Sequence, residues 1–239
     1  MKPKPFQAHI ILWLMLPILG QLSAQIPERV FLFESETNGI TQQHELKIKA
    51  NYLTYSVYES DPPHFLKTLG GFFDIKNDSL KVRLEFNSAA PGEKAGTWSV
   101  PYSLQGEQLT LQTDTDLVFS PAPAMPQDLD GQWLFAMRGP DEGQDRRGDT
   151  SPRKTLKFLM DGYFQWIAYN TDTMEFFGTG GGSYSAKDGI YTENIKYFSR
   201  DDARVGASLK FEYRIDGNDW HHTGKNSKGE PLYEIWSKR

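Results

Sequence analysis

Tyr191-Thr192-Glu193-Asn194-Ile195-Lys196-Tyr197 alternates apolar and polar residues with a period of two. As a β-strand it sends Tyr191, Glu193, Ile195 and Tyr197 to one face and Thr192, Asn194 and Lys196 to the other. Glu193 is the exception on the apolar face. A carboxylate there is costly in a packed core unless it is paired, and it is a handle if the face lines a ligand cavity.

The chain contains this pattern twice. At one constant offset Tyr52 falls on Tyr163, Tyr55 on Trp166, Tyr58 on Tyr169 and Gly70-Gly71 on Gly181-Gly182. The same offset carries Phe73 to Tyr184, Phe86 to Tyr197, Tyr102 to Tyr213 and Gly106 to Gly217. One register held over core aromatics and turn glycines alike indicates two copies of one β domain. The copies also calibrate faces. Leu80, Val82, Leu84 and Phe86 align with Tyr191, Glu193, Ile195 and Tyr197, which supports the parity assigned to Glu193. In the next strand Trp98, Val100, Tyr102 and Leu104 align with Leu209, Phe211, Tyr213 and Ile215, leaving Lys210, Glu212 and Arg214 for solvent.

Aromatics make up 13% of the chain, turn residues recur throughout, and no long window carries a sustained helical stripe, so the composition reads all-β. Candidate strands in the first copy are 29–34, 45–58, 70–75, 80–87, 96–104, 108–113 and 116–119. Ser120-Pro121-Ala122-Pro123-Ala124-Met125-Pro126 then interrupts the pattern with prolines that deny ladder hydrogen bonds and favour an extended spacer. The expected organisation is a signal segment at 1–24, a first domain at 25–119, a Pro-rich linker at 120–127 and a second domain at 128–239.

The signal reading rests on Lys2 and Lys4, an apolar run over 10–19 broken by Pro17, and Leu22-Ser23-Ala24 as a small-residue cleavage site. The run falls short of the roughly 20 apolar residues a membrane span needs, and no later stretch approaches that length. The expectation is export to the periplasm or the extracellular space, soluble after cleavage, with an uncleaved anchor as the runner-up. Cysteine is absent, which excludes disulfides, thiolate metal sites, thiol nucleophiles and a lipid-modified cysteine. A net charge of −5 without a Lys/Arg cluster argues against nucleic-acid partners and against adhesion to, or stable insertion in, a membrane. Oligomeric state is not legible.

Asp128-Leu129-Asp130-Gly131-Gln132-Trp133 opens the second copy, and Gly131-x-Trp133 at the head of a first strand resembles the signature of lipocalin-like (calycin) barrels. The tail of that copy, from Tyr191-Thr192-Glu193 through Gly217-Asn218-Asp219-Trp220 to Glu234-Ile235-Trp236, is similar to an uncharacterised group of secreted bacterial lipocalin-like domains. The resemblance covers most of 128–239 and reaches the first copy through the internal repeat. That copy has Val30-Phe31-Leu32-Phe33 where the Trp would stand. The resemblance implies two consecutive small antiparallel up-and-down β-barrels, each of about eight strands and able to hold one small ligand. It also implies a basic residue near the C-terminus, Lys238 or Arg239, packed over Trp133.

Three aliphatic positions of the first copy become polar in the second. Val82 is replaced by Glu193, Leu111 by His222, and Leu117 by Glu234 when Phe119-Ser120 is set against Trp236-Ser237. If all face inward, a pure packing core would not tolerate them without mutual hydrogen bonds. The functional reading is a ligand site in which Glu193 and Glu234 accept hydrogen bonds and His222 titrates near neutral pH, walled by Trp166, Tyr184, Tyr191, Tyr213 and Trp220. The competing reading is a satisfied core network, with Glu193 bonded to a tyrosine or arginine and Glu234 at a barrel mouth. The inward list of the first copy, Val82, Leu84, Phe86, Trp98, Val100 and Leu104, offers no such polar contact.

Two carboxylates and an imidazole can make an open metal site, but no H-x-H or H-E-x-x-H spacing supports it, and His221 and His222 point to opposite faces of a regular strand. No metal or cofactor is expected. Catalysis lacks a nucleophile elbow or a phosphate loop, so no catalytic residue is assigned. Gly178-Thr179-Gly180-Gly181-Gly182 is read as strand bending at a barrel corner. The segment 139–153 is an insertion relative to the first copy, suited to a mobile lid, and its Arg147-Gly148-Asp149 is read as solvation. The expected function is binding of a small hydrophobic, amphipathic or aromatic molecule in the second barrel. The alternative is an interaction or structural module of the cell envelope with two filled barrels.

Overall fold

The computed structural model describes residues 25–93, 96–226 and 228–239. The signal segment expected at 1–24 lies outside them. The first half comprises β1 (Arg29–Thr37), β2 (Ile40–Lys49), β3 (Tyr52–Ser60), β4 (Pro63–Lys76), β5 (Ser79–Asn87), β6 (Thr97–Gln105), β7 (Gln108–Leu111) and β8 (Leu117–Pro121). The second comprises β9 (Gly131–Arg138), β10 (Arg153–Met160), β11 (Tyr163–Asn170), β12 (Phe176–Lys187), β13 (Ile190–Phe198), β14 (Ser208–Asp216), β15 (Asp219–Lys225) and β16 (Pro231–Lys238). Each strand pairs with its sequence neighbours and the last with the first, giving two closed antiparallel barrels in succession. Among the described residues no helix is long and apolar enough to cross a membrane.

Two boundaries differ from the sequence reading. The stretch 45–58 holds two strands, because Ala50 adopts a left-handed φ of 52° and turns the chain. The first barrel also runs past 119: Ser120 pairs with Leu32 and Pro121 with Phe31, closing β8 onto β1.

Each lumen is filled over most of its depth. Phe31, Leu46, Leu53, Val82 and Phe119 belong to the core of the first, and Trp133, Leu159, Tyr191, Phe211 and Trp220 to that of the second. A third core, built by Val30, Tyr52, Phe86, Leu156, Phe158, Ile167 and Tyr169 among others, lies between the barrels. It explains a misreading of faces. The alternation that puts Tyr197 beside Glu193, and Phe86 beside Val82, is broken by a bulge in each barrel. Lys196 is the extra residue between Ile195 and Tyr197, as Glu85 is between Leu84 and Phe86. A bulge of this kind flips the following side chains to the other face. Phe86 and Tyr197 therefore leave the lumens and face the neighbouring barrel.

The glycines of the repeat make room for that flip. A Cβ on Gly70 would stand 2.7 Å from Phe86 Cζ, and one on Gly181 would stand 2.3 Å from the Tyr197 hydroxyl. With no side chain in the way, Phe86 packs on Tyr169 at 5.0 Å between centroids, and Tyr197 stacks on Tyr58 at 4.6 Å. Phe86 is the repeat counterpart of Tyr197, and Tyr58 of Tyr169. The interface thus makes one contact twice, as a two-fold dimer would. Near the pseudo-axis Gln165 Nε2 donates to Thr68 Oγ1 (2.9 Å) and Thr179 Oγ1 (3.2 Å), which are themselves repeat counterparts.

A polar clamp completes the interface. The Glu85 carboxylate accepts from Tyr52 OH (2.9 Å), Tyr169 OH (2.8 Å) and both terminal nitrogens of Arg239 (2.9 and 2.7 Å). The Arg239 guanidinium lies 4.6 Å over the rings of both Tyr52 and Phe72. Burial alone would push the Glu85 carboxyl up, but Arg239 and the two tyrosines hold it below its ordinary value. Its contribution to stability is therefore complete above the ordinary carboxylate range and is lost as pH falls through the folded-state pKa.

Removing Arg239 strands a buried carboxylate. Arg239→Ala is expected to cost about 3 kcal/mol or more in urea denaturation, and Arg239→Lys to recover only part, because a single ammonium cannot reproduce the bidentate fork. Glu85→Gln should flatten the acid limb of the stability curve below pH 4.5. An unchanged limb would show that the clamp does not govern it.

Candidate functional site

The second lumen owes its polarity to four strands. On β13, Tyr191 and Glu193 point inward; on β15, Trp220 and His222; on β16, Glu234 and Trp236. His222 pairs across the strands with Glu234 and Trp220 with Trp236, as Leu111 pairs with Leu117 in the first barrel. The fourth contributor is Lys157 on β10. It sits opposite Trp133 and Trp166, in the place Leu46 holds opposite Phe31 and Tyr55.

Lys157 answers the question raised by Glu193. Its Nζ lies 2.8 Å from Glu193 Oε1, which also accepts from Tyr191 OH at 2.8 Å. The ammonium stands 5.0 Å from the Tyr191 ring, 5.0 Å from Trp220 and 5.1 Å from Trp236. A desolvated cation among three ring faces is well stabilised electrostatically, and the carboxylate balances its charge. This part of the lumen is a satisfied ion pair in an aromatic cage. It forms the floor beneath which Trp133 and Trp220 close the barrel.

His222 is different. It is 2% exposed, packs on Phe211 with centroids 4.3 Å apart, and its Nδ1 lies 3.6 Å from Glu234 Oε2, beyond hydrogen-bond reach. Both of its ring nitrogens, and Trp220 Nε1, are buried without a hydrogen-bond partner among the described residues. Burial, then the charge of Lys157, holds the imidazole below its ordinary pKa against the pull of Glu234 and Glu193. Glu234 accepts from Trp236 Nε1 at 3.1 Å. Burial would raise its pKa, but His222, Lys157 and Trp236 keep it below the ordinary value and hence ionised.

Above this floor, at the end where the 139–152, 171–175 and 199–207 connections gather, a cleft of about 240 Å³ opens between Phe135, Arg138, Arg147, Thr155, Glu234 and Trp236. Of the residues expected to wall a site, Tyr191 and Trp220 line the polar cluster. Trp166 is half-buried against Phe198 at 5.5 Å. Tyr184 and Tyr213 bond instead to Asp130 and Asp128 near the opposite end, anchoring the segment that enters β9. Arg138, Arg147, Lys157 and Trp236 were not on that list. The repeat offset carries Leu46 to Lys157 and so contained the signal for one of them.

The insertion is held in place. Arg147 N donates to Ala136 O at 2.8 Å, in the gap where β9 no longer pairs with β10. The Arg146 guanidinium grips both Asp219 oxygens at 2.7 Å and bonds Asp141 and Ser237. Within Arg147-Gly148-Asp149, the Arg147 guanidinium lies 5.4 Å over the Phe135 ring and Asp149 meets Arg239 at 3.1 Å. The tripeptide is engaged in the fold. Lys238 lies 5.9 Å over the Trp133 ring, as the lipocalin resemblance implies, while Arg239 serves the other barrel.

The first lumen is not free of polar groups. Its His44 bonds Ser35 Oγ at 2.8 Å through Nε2 and Tyr55 OH at 2.7 Å through Nδ1. Burial and then Lys67 lower its pKa to about 4. Every member of this chain has a partner, unlike His222. Among the described residues no three His, Asp or Glu side chains converge as metal ligands.

The chain matches no known protein-family model, and no curated protein matches its sequence significantly. Two consecutive eight-stranded antiparallel barrels fit a tandem lipocalin-like arrangement.

Two measurements test this geometry. Lys157→Leu is expected to cost about 3 kcal/mol or more by leaving Glu193 unpaired, while Lys157→Leu with Glu193→Val, the residues of the first barrel, regains most of it. Additive losses in that double-mutant cycle would contradict a direct pair. In a histidine-resolved NMR titration His44 should titrate near pH 4 and His222 below 6.5. Both stay neutral in the fold while the unfolded chain protonates, so stability should decline as pH falls below 6.5, and His222→Leu should remove its share of the decline. A His222 midpoint above 6.5 would refute this account.

Proposed function

We propose that this chain is an exported, tandem lipocalin-like protein that binds a small amphipathic or aromatic molecule at the mouth of its second barrel. The observation that carries the reading is His222, buried with neither ring nitrogen in hydrogen-bond reach of a partner among the described residues, its Nδ1 3.6 Å from Glu234, which lines the cleft. A neutral imidazole offers one donor and one acceptor, and leaving both unmet in a core costs about 1–3 kcal/mol per group. The coordinated change of Leu46, Val82, Leu111 and Leu117 to Lys157, Glu193, His222 and Glu234 supports it. Lys157 and Glu193 act as the fixed floor, His222 and Glu234 as polar contacts, and Phe135 and Trp236 as walls. Export rests on the sequence of 1–24.

A second reading, an envelope interaction module with filled barrels, draws on the satisfied state of the Lys157–Glu193 pair. Titration of indole and naphthalene derivatives, followed by NMR, separates the two. Binding is expected to shift resonances of residues 135, 155, 222, 234 and 236, and a variant carrying His222→Leu and Glu234→Leu should lose it. Shifts confined to the first barrel, or binding unchanged in that variant, would sink the proposal.

A further inference from the structure

The mouth of the second barrel gathers four arginines. Arg153 begins β10 on the same face as Thr155 and Lys157; its guanidinium lies 3.5 Å over the Phe177 ring, and its Nη1 is buried with no hydrogen-bond partner among the described residues. Arg200 reaches the same residue, donating to the Phe177 backbone carbonyl. Arg138 and Arg147 line the 240 Å³ cleft beside them. Among the described residues none of these four guanidinium groups has a carboxylate within 4.0 Å. Arg146, on the same insertion as Arg147, and Arg239 are both ion-paired.

Arg138, Arg147 and Arg200 are exposed, whereas Arg153 is half-buried. Burial first, then the charges of Arg147 and Arg200, lower its pKa, with Glu175 the opposing influence. The carboxylate inside the cleft, Glu234, faces the Trp236 and His222 side and is already bonded to Trp236 Nε1. It does not neutralise the rim. A ligand oxyanion would, because guanidinium forks match carboxylate and phosphate geometry.

We propose that the ligand of this site is an organic oxyanion: an aromatic or apolar body between Phe135 and Trp236, with a carboxylate or phosphate group held by Arg147 and Arg153 and screened by Arg138 and Arg200. This rests on the small-molecule reading above and specifies the ligand class. Glu234 sets the orientation by repelling the anionic end toward the arginine side.

Titrating the full chain with naphthalene-2-carboxylate, 2-naphthyl phosphate and the neutral naphthalene-2-carboxamide tests it. Both anions should bind at least about tenfold more tightly than the amide, and Arg147→Gln and Arg153→Gln should each weaken the anions about tenfold while leaving the amide unchanged. Circular dichroism checks that each variant folds. Should Arg153→Gln fail, the exposed Arg147→Gln decides. Preference between the two anions distinguishes a carboxylate from a phosphate ligand. An amide that binds as well as the anions overturns the oxyanion inference and leaves the small-molecule reading standing. Failure of all three probes to bind overturns both.

Discussion

An aromatic ring laid across a glycine, once in each barrel, is the contact on which the architecture turns. Gly70 lets Phe86 cross the sheet and Gly181 does the same for Tyr197. Each ring then meets a tyrosine of the opposite barrel. The bulges at Glu85 and Lys196 aim those rings, and the first of them also delivers the carboxylate that Arg239 clamps. Because the two contacts are related by the internal repeat, neither barrel presents a generic outer wall to its neighbour. Each is buried on two faces over most of β10 and β11 or over parts of β2 and β3.

That double burial decides what could be read from the sequence. The repeat, the all-β class and the inward parity of Glu193, His222 and Glu234 followed from alternation and offset, because those residues lie on strands or segments with one solvent-facing side. Alternation failed where both sides are buried. In Arg153–Met160 the apolar residues Leu156 and Phe158 look like the lumen face, yet they pack against the other barrel and leave Thr155 and Lys157 inside. Glu45 and Lys47 are likewise buried on the outward side of β2, as a pair. A pattern rule that equates apolar with inward assigns such a strand backwards. Tyr197 was misplaced for a different reason: a single-residue bulge leaves no mark in the periodicity before it.

The two lumens show how one scaffold accommodates different interiors. In the first, Leu46, Val82, Leu111 and Leu117 close the space by packing, and the one polar chain, Ser35 to His44 to Tyr55, is complete in itself. In the second, the same positions carry a lysine, two glutamates and a histidine. One pair is complete and the other is not. The contrast between Glu193, satisfied by Lys157 and Tyr191, and His222, whose nitrogens have no hydrogen-bond partner among the described residues, is the physical distinction between a structural floor and a proposed site.

The pseudo-two-fold interface carries a consequence for how such unequal halves stay together. The aromatic contacts are self-complementary, but the Glu85 clamp is not: the repeat counterpart of Glu85 is Lys196, so two barrels of the second kind would set a lysine where Arg239 needs a carboxylate. The short tether between Pro121 and Gly131 reinforces that preference. At lengths of this order a covalent link sets a local concentration of about millimolar, far above that of any free chain. Tether and clamp thus act together to pair unlike halves, which lets the interior of one barrel differ from that of the other without loss of the shared interface.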